Sequence, residues 1–357
     1  MKNTLFAINL VAGIVLILSN LAEIIPPSQN TWIQALGLIY PIIIIVNLAF
    51  LISWVIAKSK FAVLSFIFIL IGFNNIFNNF QITLLNSVNK QAGEIKVLSY
   101  NVQNFGEKNN NNSAIVTKSR IIKFLLKQDA DIVCIQEYHS SNNSLYEPLK
   151  EIRDTLSSHS YYYESYFNPK HNQLSGLVTF SKYNAINKGR LKFKGSRTFG
   201  IYTDVVLNED TVRIFNIHLA SIKLVPGDLD FVVKPEADNS EILKNHYLEI
   251  YRKLAQAFNL REKQLKYLIN KINLTKYDII LCGDFNDTPS SWVYSQLEKY
   301  MTDTFVKKGI GVGRTYAGPL PFLRIDYILT GKRFSTHGFT RHSLKESDHY
   351  PISAIIE

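Results

Sequence analysis

Cysteine is scarce in this chain: 357 residues contain two, Cys134 and Cys282. Both lie inside apolar runs that read as buried strands, so they serve as small core residues and no disulfide framework is expected. No ligand spacing suits a zinc site, and no serine or cysteine sits in a nucleophile-elbow motif. No internal repeat is visible, and the interleaving of basic and aromatic residues expected of a single-strand nucleic-acid binder is missing. Charge is nearly absent at the start, where the first 90 residues carry only Lys2, Glu23, Lys58, Lys60 and Lys90. The formal net charge of +10 therefore divides into +3 there and +7 beyond, where the composition is an ordinary globular mixture. A basic domain suits a phosphate-bearing or anionic-membrane partner.

In place of charge the N-terminal region has long apolar runs. Leu5 to Ile25 is long enough to span a bilayer and is broken by Pro26-Pro27-Ser28-Gln29-Asn30. Trp32 to Ala57 follows without a charge and includes Ile42-Ile43-Ile44-Ile45, which predicts a transmembrane helix with a local bend at Pro41. A third run, residues 61–80, is fully apolar only to Phe73 and is then interrupted by Asn74, Asn75, Asn78 and Asn79. Lys2 alone precedes the first run and no small-x-small site follows it, so an uncleaved anchor is expected rather than a signal peptide. Lys2, Lys58 and Lys60 place the N-terminus and the second loop in the cytoplasm. Three spans put the remainder on the outer side of a bacterial-type inner membrane, the favoured arrangement; two spans, with the third run lying at the interface, would leave it cytoplasmic. The predicted organisation is a membrane anchor over residues 1–90 and a folded domain over 91–357, a length that one large core can fill.

Beyond the anchor, Ile95 to Val102 reads as a strand, Glu107 to Ser113 as an Asn-rich loop, and Lys118 to Gln128 as a helix that leads into the strand Ile132 to Ile135. Tyr146 to Leu156 reads as helix and Ser175 to Ser181 as strand. Tyr202 to Leu207 and Val212 to Leu219 form a hairpin about Asn208-Glu209-Asp210. Ile222 to Asn239 has the composition of an inserted loop. Glu241 to Ile272 is a long helix with basic residues on one face, and Trp292 to Tyr300 a shorter one. Strands alternating with helices, with hairpins among them, predict two packed mixed sheets flanked by helices, an α/β sandwich.

Six apolar runs end in polar groups. Ile279-Ile280-Leu281-Cys282 is a buried strand, and Gly283 after it permits the turn that brings Asp284 and Asn286 out at one rim. The others end in Ser99-Tyr100-Asn101, Gln136-Glu137, Asn216-Ile217-His218, Arg324-Ile325-Asp326 and Ser347-Asp348-His349. Glu137 assisted by Asn101 suits a hard divalent ion, since magnesium takes one or two carboxylates together with water and substrate phosphate. An imidazole held by a carboxylate, His349 with Asp326, can take up a proton or stabilise charge. Asp284 is placed to accept a proton from water, and His218 and Asn286 to donate to charge that builds on a phosphoryl oxygen. With no nucleophile motif, attack by activated water is preferred to a covalent intermediate.

This series, in this order, resembles the endonuclease/exonuclease/phosphatase superfamily, which includes deoxyribonuclease I, abasic-site endonucleases, neutral sphingomyelinases and inositol-polyphosphate 5-phosphatases. The resemblance covers residues 94–357 and implies a four-layered α/β sandwich that hydrolyses a phosphoester with Mg2+ or Mn2+. It further implies that Glu137 is a metal ligand with Asn101 beside it, that Asp284 activates water, and that Asn286 orients the water or the phosphate. By the same resemblance Asp326 and His349 form the His–Asp pair, Asp348 is an auxiliary carboxylate at the metal or phosphate site, and His218 contacts phosphate. His218 stands where abasic-site endonucleases have Tyr, which turns the likeness toward the deoxyribonuclease and sphingomyelinase branches. The substrate expected is nucleic acid or a phospholipid headgroup, with the lipid bilayer as a second partner. Arg190, Lys192, Lys194 and Arg197 are candidates for a nucleic-acid backbone. A module that only binds a phosphorylated ligand, without catalysis, is the competing class.

Overall fold

The computed structural model describes residues 2–83, 86–87, 89–106, 111–140, 146–158, 160–168, 173–207, 209–224, 227–228 and 240–357. They form two compact units. One joins the N-terminal helices, through Phe80, to Ala220–Leu265 and Asp287–Lys299; the other comprises Gln81–Leu219, Lys266–Asn286 and Tyr300–Glu357. The helical unit is thus not the first 90 residues alone, for it draws on two segments much further along the chain.

The helical unit begins with α1 (Lys2–Asn20), α2 (Thr31–Leu38), α3 (Tyr40–Ile56), α4 (Phe61–Ile71) and α5 (Phe73–Asn79). With the short turn of helix after it, α1 is long and apolar enough to cross a membrane. The pairs α2/α3 and α4/α5 have the length and composition of spans but bend by 68° and 64°. The second bend falls at Gly72, the cap between α4 and α5. The first is sharper than a local kink at Pro41 and lies before it, at Ile39: a proline without an N–H is accommodated in the first turn of α3, so the helix breaks ahead of it.

Polarity in these helices is arranged from the inside out. Buried on α1 are Asn9, Gly13, Leu16 and Ser19, whereas Ile8, Val11 and Ile14 are exposed. Asn9 Oδ1 accepts from Trp54 Nε1 at 2.9 Å and from Ser65 Oγ at 2.8 Å, joining α1, α3 and α4 through groups that a bilayer would not solvate. Gly13 permits the close approach, since a Cβ there would lie 2.1 Å from the ring of Phe68. The long helix Ser240–Asn273 adds Ile250, Ala257, Phe258 and Leu265 to the buried residues of this unit. Ser290 is also held, donating to Asn75 Oδ1 at 2.9 Å and accepting from Asn79 Nδ2 at 2.9 Å.

The second unit is a sandwich of two six-stranded sheets. Its strands are β1 (Gln81–Ile82), β2 (Ile95–Asn101), β3 (Ile132–Ser140), β4 (Ser160–Asn168), β5 (Gln173–Ser181), β6 (Ala185–Lys192) and β7 (Phe199–Leu207). They continue with β8 (Asp210–His218), β9 (Asp278–Asp284), β10 (Met301–Asp303), β11 (Ile310–Gly311), β12 (Asp326–Gly331), β13 (Thr336–Arg341) and β14 (Ile352–Ile356). One sheet runs β13-β14-β2-β3-β5-β4 and the other β10-β12-β9-β8-β7-β6, with β1 and β11 as a separate pair. Pairing is parallel for β2 with β3 and for β8 with β9, and antiparallel elsewhere. The central strands read as continuous apolar runs because both of their faces are covered. Val97, Ile132 and Cys134 from one sheet pack with Ile214, Ile280, Cys282 and Ile328 from the other. On the opposite face of the first sheet, Leu98, Tyr100, Val133 and Ile135 pack on Ile121 and Leu125 of the helix Asn111–Gln128.

Some boundaries differ from expectation. Asn111 to Ser113, expected in a loop, already belong to the helix that ends at Gln128, while 107–110 lie outside the described residues. Strands β4 and β6 were not anticipated. Both are edge strands, and β6 is exposed along most of its length, so neither shows the apolar signal that marks an interior strand. The expected insertion Ile222–Asn239 falls largely outside the described residues.

Candidate active site

Strand register assembles the site. His218 closes β8 opposite Asp284 on β9, and Asp284 lies opposite Asp326, the first residue of β12. Three polar side chains from distant parts of the sequence thus form one row across three neighbouring strands. In the other sheet Asn101 on β2 pairs with Gln136 on β3. The β3–β5 register shifts between Ile135 and Tyr138, and Glu137 within this bulge has φ 50°, a left-handed conformation that re-aims its side chain.

Asp284 is buried, and its oxygens are well supplied with donors. Oδ1 accepts from Asn286 N at 2.8 Å, and Oδ2 accepts from Asn286 Nδ2 at 3.1 Å and Asn101 Nδ2 at 3.0 Å. Burial pushes its carboxyl above the usual range and nearby Asp326 pushes the same way, while His349 and His218 oppose them. Gly283 before it has φ 142° and lies against Ile217 O, where a Cβ would come within 2.0 Å.

His349 is held by its neighbours. Its Nδ1 lies 2.8 Å from Asp326 Oδ2, and its Nε2 lies 3.8 Å from Asp284 Oδ2 and 3.9 Å from Asp348 Oδ1. Burial alone would drive the ring toward its neutral form, but the carboxylates of Asp326 and Asp284 outweigh it and raise the pKa to about 10. The carboxylates thus favour the charged form of the ring. Thr315 Oγ1 accepts from Ile325 N and Asp326 N at 2.9 and 3.1 Å, and Tyr316 bridges His349 through the backbone. Nothing in the sequence singled out Thr315 or Tyr316, since neither ends an apolar run.

His218 Nε2 is buried without a hydrogen-bond partner, 3.6 Å from Asp284 Oδ2 and 3.7 Å from Glu137 Oε1. Asp326 Oδ1 is likewise buried and unpartnered. Two orphaned polar atoms at one place are what a site built for a ligand leaves behind. A small recess lined by Tyr166, Ser175, Thr198, Phe199 and His218 adjoins them. Arg190, among the candidate backbone contacts, is turned to Glu164 Oε2 at 3.3 Å and lies over the Phe199 ring, whereas Lys192, Lys194 and Arg197 are exposed.

A divalent ion fits this donor set. Asp284, Asp326 and Asp348 lie against His349 and Glu137 against His218, a cluster of four carboxylates with hard oxygen donors. Asp284, Asp326 and His349 offer atoms within 4.8 Å of one another. Glu137 and Asp348 are the more accessible carboxylates, with side chains 28% and 34% exposed. Asn101 turns its amide nitrogen to Glu137 Oε1 at 3.4 Å, while its oxygen accepts from Gln103 N.

The two-sheet sandwich carries this row at its strand ends. The sequence matches the Endonuclease/Exonuclease/phosphatase family over residues 98–349, and the chain belongs to that family. Residues 2–79 match a separate domain of unknown function. No curated protein matches the chain. Solved structures with the same fold include an endonuclease/exonuclease/phosphatase from Bacteroides vulgatus, 15% identical, TM-score 0.53, covering 74% of this chain and 98% of that one. The catalytic domain of human Nocturnin is 15% identical, TM-score 0.51, covering 77% and 95%. D. rerio TDP2, humanized by 14 mutations, is 13% identical, TM-score 0.53, covering 74% and 100%.

Proposed function

We propose that this chain is a membrane-anchored, divalent-metal-dependent phosphodiesterase that hydrolyses a phosphoester with activated water. The observation that carries the reading is the row His218, Asp284, Asp326, with His349 locked to Asp326 at 2.8 Å. Asp284 accepts the proton of the attacking water, which Asn286 orients beside it. The His349 imidazolium, fixed by Asp326, and His218 donate toward the phosphoryl oxygen on which negative charge builds. Glu137 would hold Mg2+ or Mn2+, with Asp348 as auxiliary carboxylate, and Asn101 orients both Glu137 and Asp284. When bound, the ion neutralises charge on the phosphoryl and leaving oxygens. Residues 1–90 supply the anchor and 91–357 the catalytic residues. Three spans would set the catalytic residues on the extracytoplasmic side, with nucleic acid or a phospholipid headgroup as substrate.

The test uses the full chain in nanodiscs with magnesium, manganese or EDTA, on plasmid DNA, RNA, sphingomyelin, phosphoinositides and bis-p-nitrophenyl phosphate. Metal-dependent cleavage of one natural class, lost in Asp284→Ala and His349→Ala, is the expected result. Unchanged turnover in both variants would remove the assignment. Silence on every substrate by folded protein would favour the binding-only class.

A further inference from the structure

The long helix Ser240–Asn273 makes two contacts with the turn between the first and second apolar runs, all inside the helical unit. Glu262 accepts from Ser28 N at 2.8 Å and from Ser28 Oγ at 3.0 Å. Tyr251 stacks on Trp32 with ring centroids 4.5 Å apart and planes at 24°. Tyr251 and Glu262 are separated by about 16 Å of helix axis at 1.5 Å per residue. Their partners belong to one short interhelical turn and the residue that opens the next run. The helix therefore lies along the turn that joins the first two runs.

Trp32 is itself on the rim, 64% exposed. Followed from Glu262 through Tyr251, the helix continues to Ser240. Its N-terminal turns carry Glu241, Lys244, Tyr247, Leu248 and Arg252, which with Tyr251 fall on one stripe at helical spacing. Tyr247 is 54% and Leu248 41% exposed, as is Ile24 at 70% beside the end of α1. Glu249 on the same turns is directed to Lys253 at 2.8 Å, so the stripe carries Lys244 and Arg252 against the single acid Glu241, beside its apolar residues. Trp and Tyr at the ends of spans, flanked by Lys and Arg, have the composition of a surface at the bilayer–water boundary.

We propose that the N-terminal turns of this helix lie in the headgroup layer of the membrane. Tyr247, Leu248 and the Trp32–Tyr251 pair dip into it, and Lys244 and Arg252 meet anionic lipid. The inference rests on the membrane anchoring proposed above, and the test separates the two.

Full-length chain in nanodiscs is labelled with an environment-sensitive fluorophore through Leu248→Cys, through Ile52→Cys on the exposed face of α3, or through Asp210→Cys in the β7–β8 hairpin. Cys134 and Cys282 are fully buried and do not compete for the label. Lipids brominated high on the acyl chain are expected to quench residue 248 several-fold more than residue 210. Lys244→Glu with Arg252→Glu should return 248 to the level of 210 in discs containing phosphatidylglycerol. Should Leu248→Cys misfold, Lys244→Cys gives the same reading. Quenching at 52 without quenching at 248 overturns the interfacial placement and leaves the anchor standing. Quenching at neither position removes the anchor. Shielding of 248 that grows with the number of chains per disc, without bromolipid quenching, assigns the face to a second copy instead.

Discussion

Replacing Asp326 by Asn tests whether the His349 ring works as a cation. The amide oxygen can take the place of Oδ2, 2.8 Å from Nδ1, and its NH2 falls where Oδ1 has no partner, so shape and hydrogen bond survive while the charge goes. Raising the imidazole from 6.5 to about 10 corresponds to roughly 5 kcal/mol of preference for the charged ring. Asp326 is the largest favourable contributor, and burial opposes it. Without that charge the ring is expected to titrate below about 8, and turnover to fall by about 10²–10⁴-fold, the usual worth of a placed acid or charge donor. Stability carries a second signature. A raised histidine pKa contributes stability that is fully present below 6.5 and is lost as pH rises through about 10, so the parent weakens in alkali while the variant does so much less. The measurements are selective 15N-histidine NMR across pH, with His349→Gln for assignment, beside hydrolysis of bis-p-nitrophenyl phosphate. A ring still protonated above pH 9 in Asp326→Asn, or turnover equal to the parent, would refute the reasoning.

Other outcomes follow from neighbouring features. Gly283→Ala should destabilise the sandwich by about 3 kcal/mol or more in urea unfolding, because the Cβ meets Ile217 O at 2.0 Å and φ is 142°. EDTA should abolish turnover and magnesium restore it, whereas Glu137→Gln should raise the magnesium concentration needed for half-maximal rate. His342 is held down to about 4 by burial and then by Lys96 and Arg341. The folded state disfavours its charged form, so stability is full above 6.5 and falls by about 3 kcal/mol as pH drops through about 4. His342→Gln should flatten that slope in thermal melts followed against pH.

The sandwich was legible in the sequence because its central strands, such as Ile279–Cys282 and Ile132–Ile135, are covered on both faces and read as unbroken apolar runs. Edge strands carry no such mark, and the exposed β6 passed for loop. At the site, the residue types at strand ends were readable but their register was not. That His218, Asp284 and Asp326 share one row depends on pairing between strands far apart in the chain. Thr315, which holds the backbone of Asp326, stood out by no pattern at all. In the N-terminal helices, hydropathy marked three runs, but the breaks at Ile39 and Gly72 arise from local chemistry within them.

The row itself sets a limit on how this site can change. Adjacent rungs of a sheet are about 4.8 Å apart because backbone hydrogen bonds make them so. The main-chain spacing beneath His218, Asp284 and Asp326 is therefore a ruler that no side-chain substitution recalibrates. If the row reacts as proposed, variation in what is accepted would have to come from the loops around that ruler.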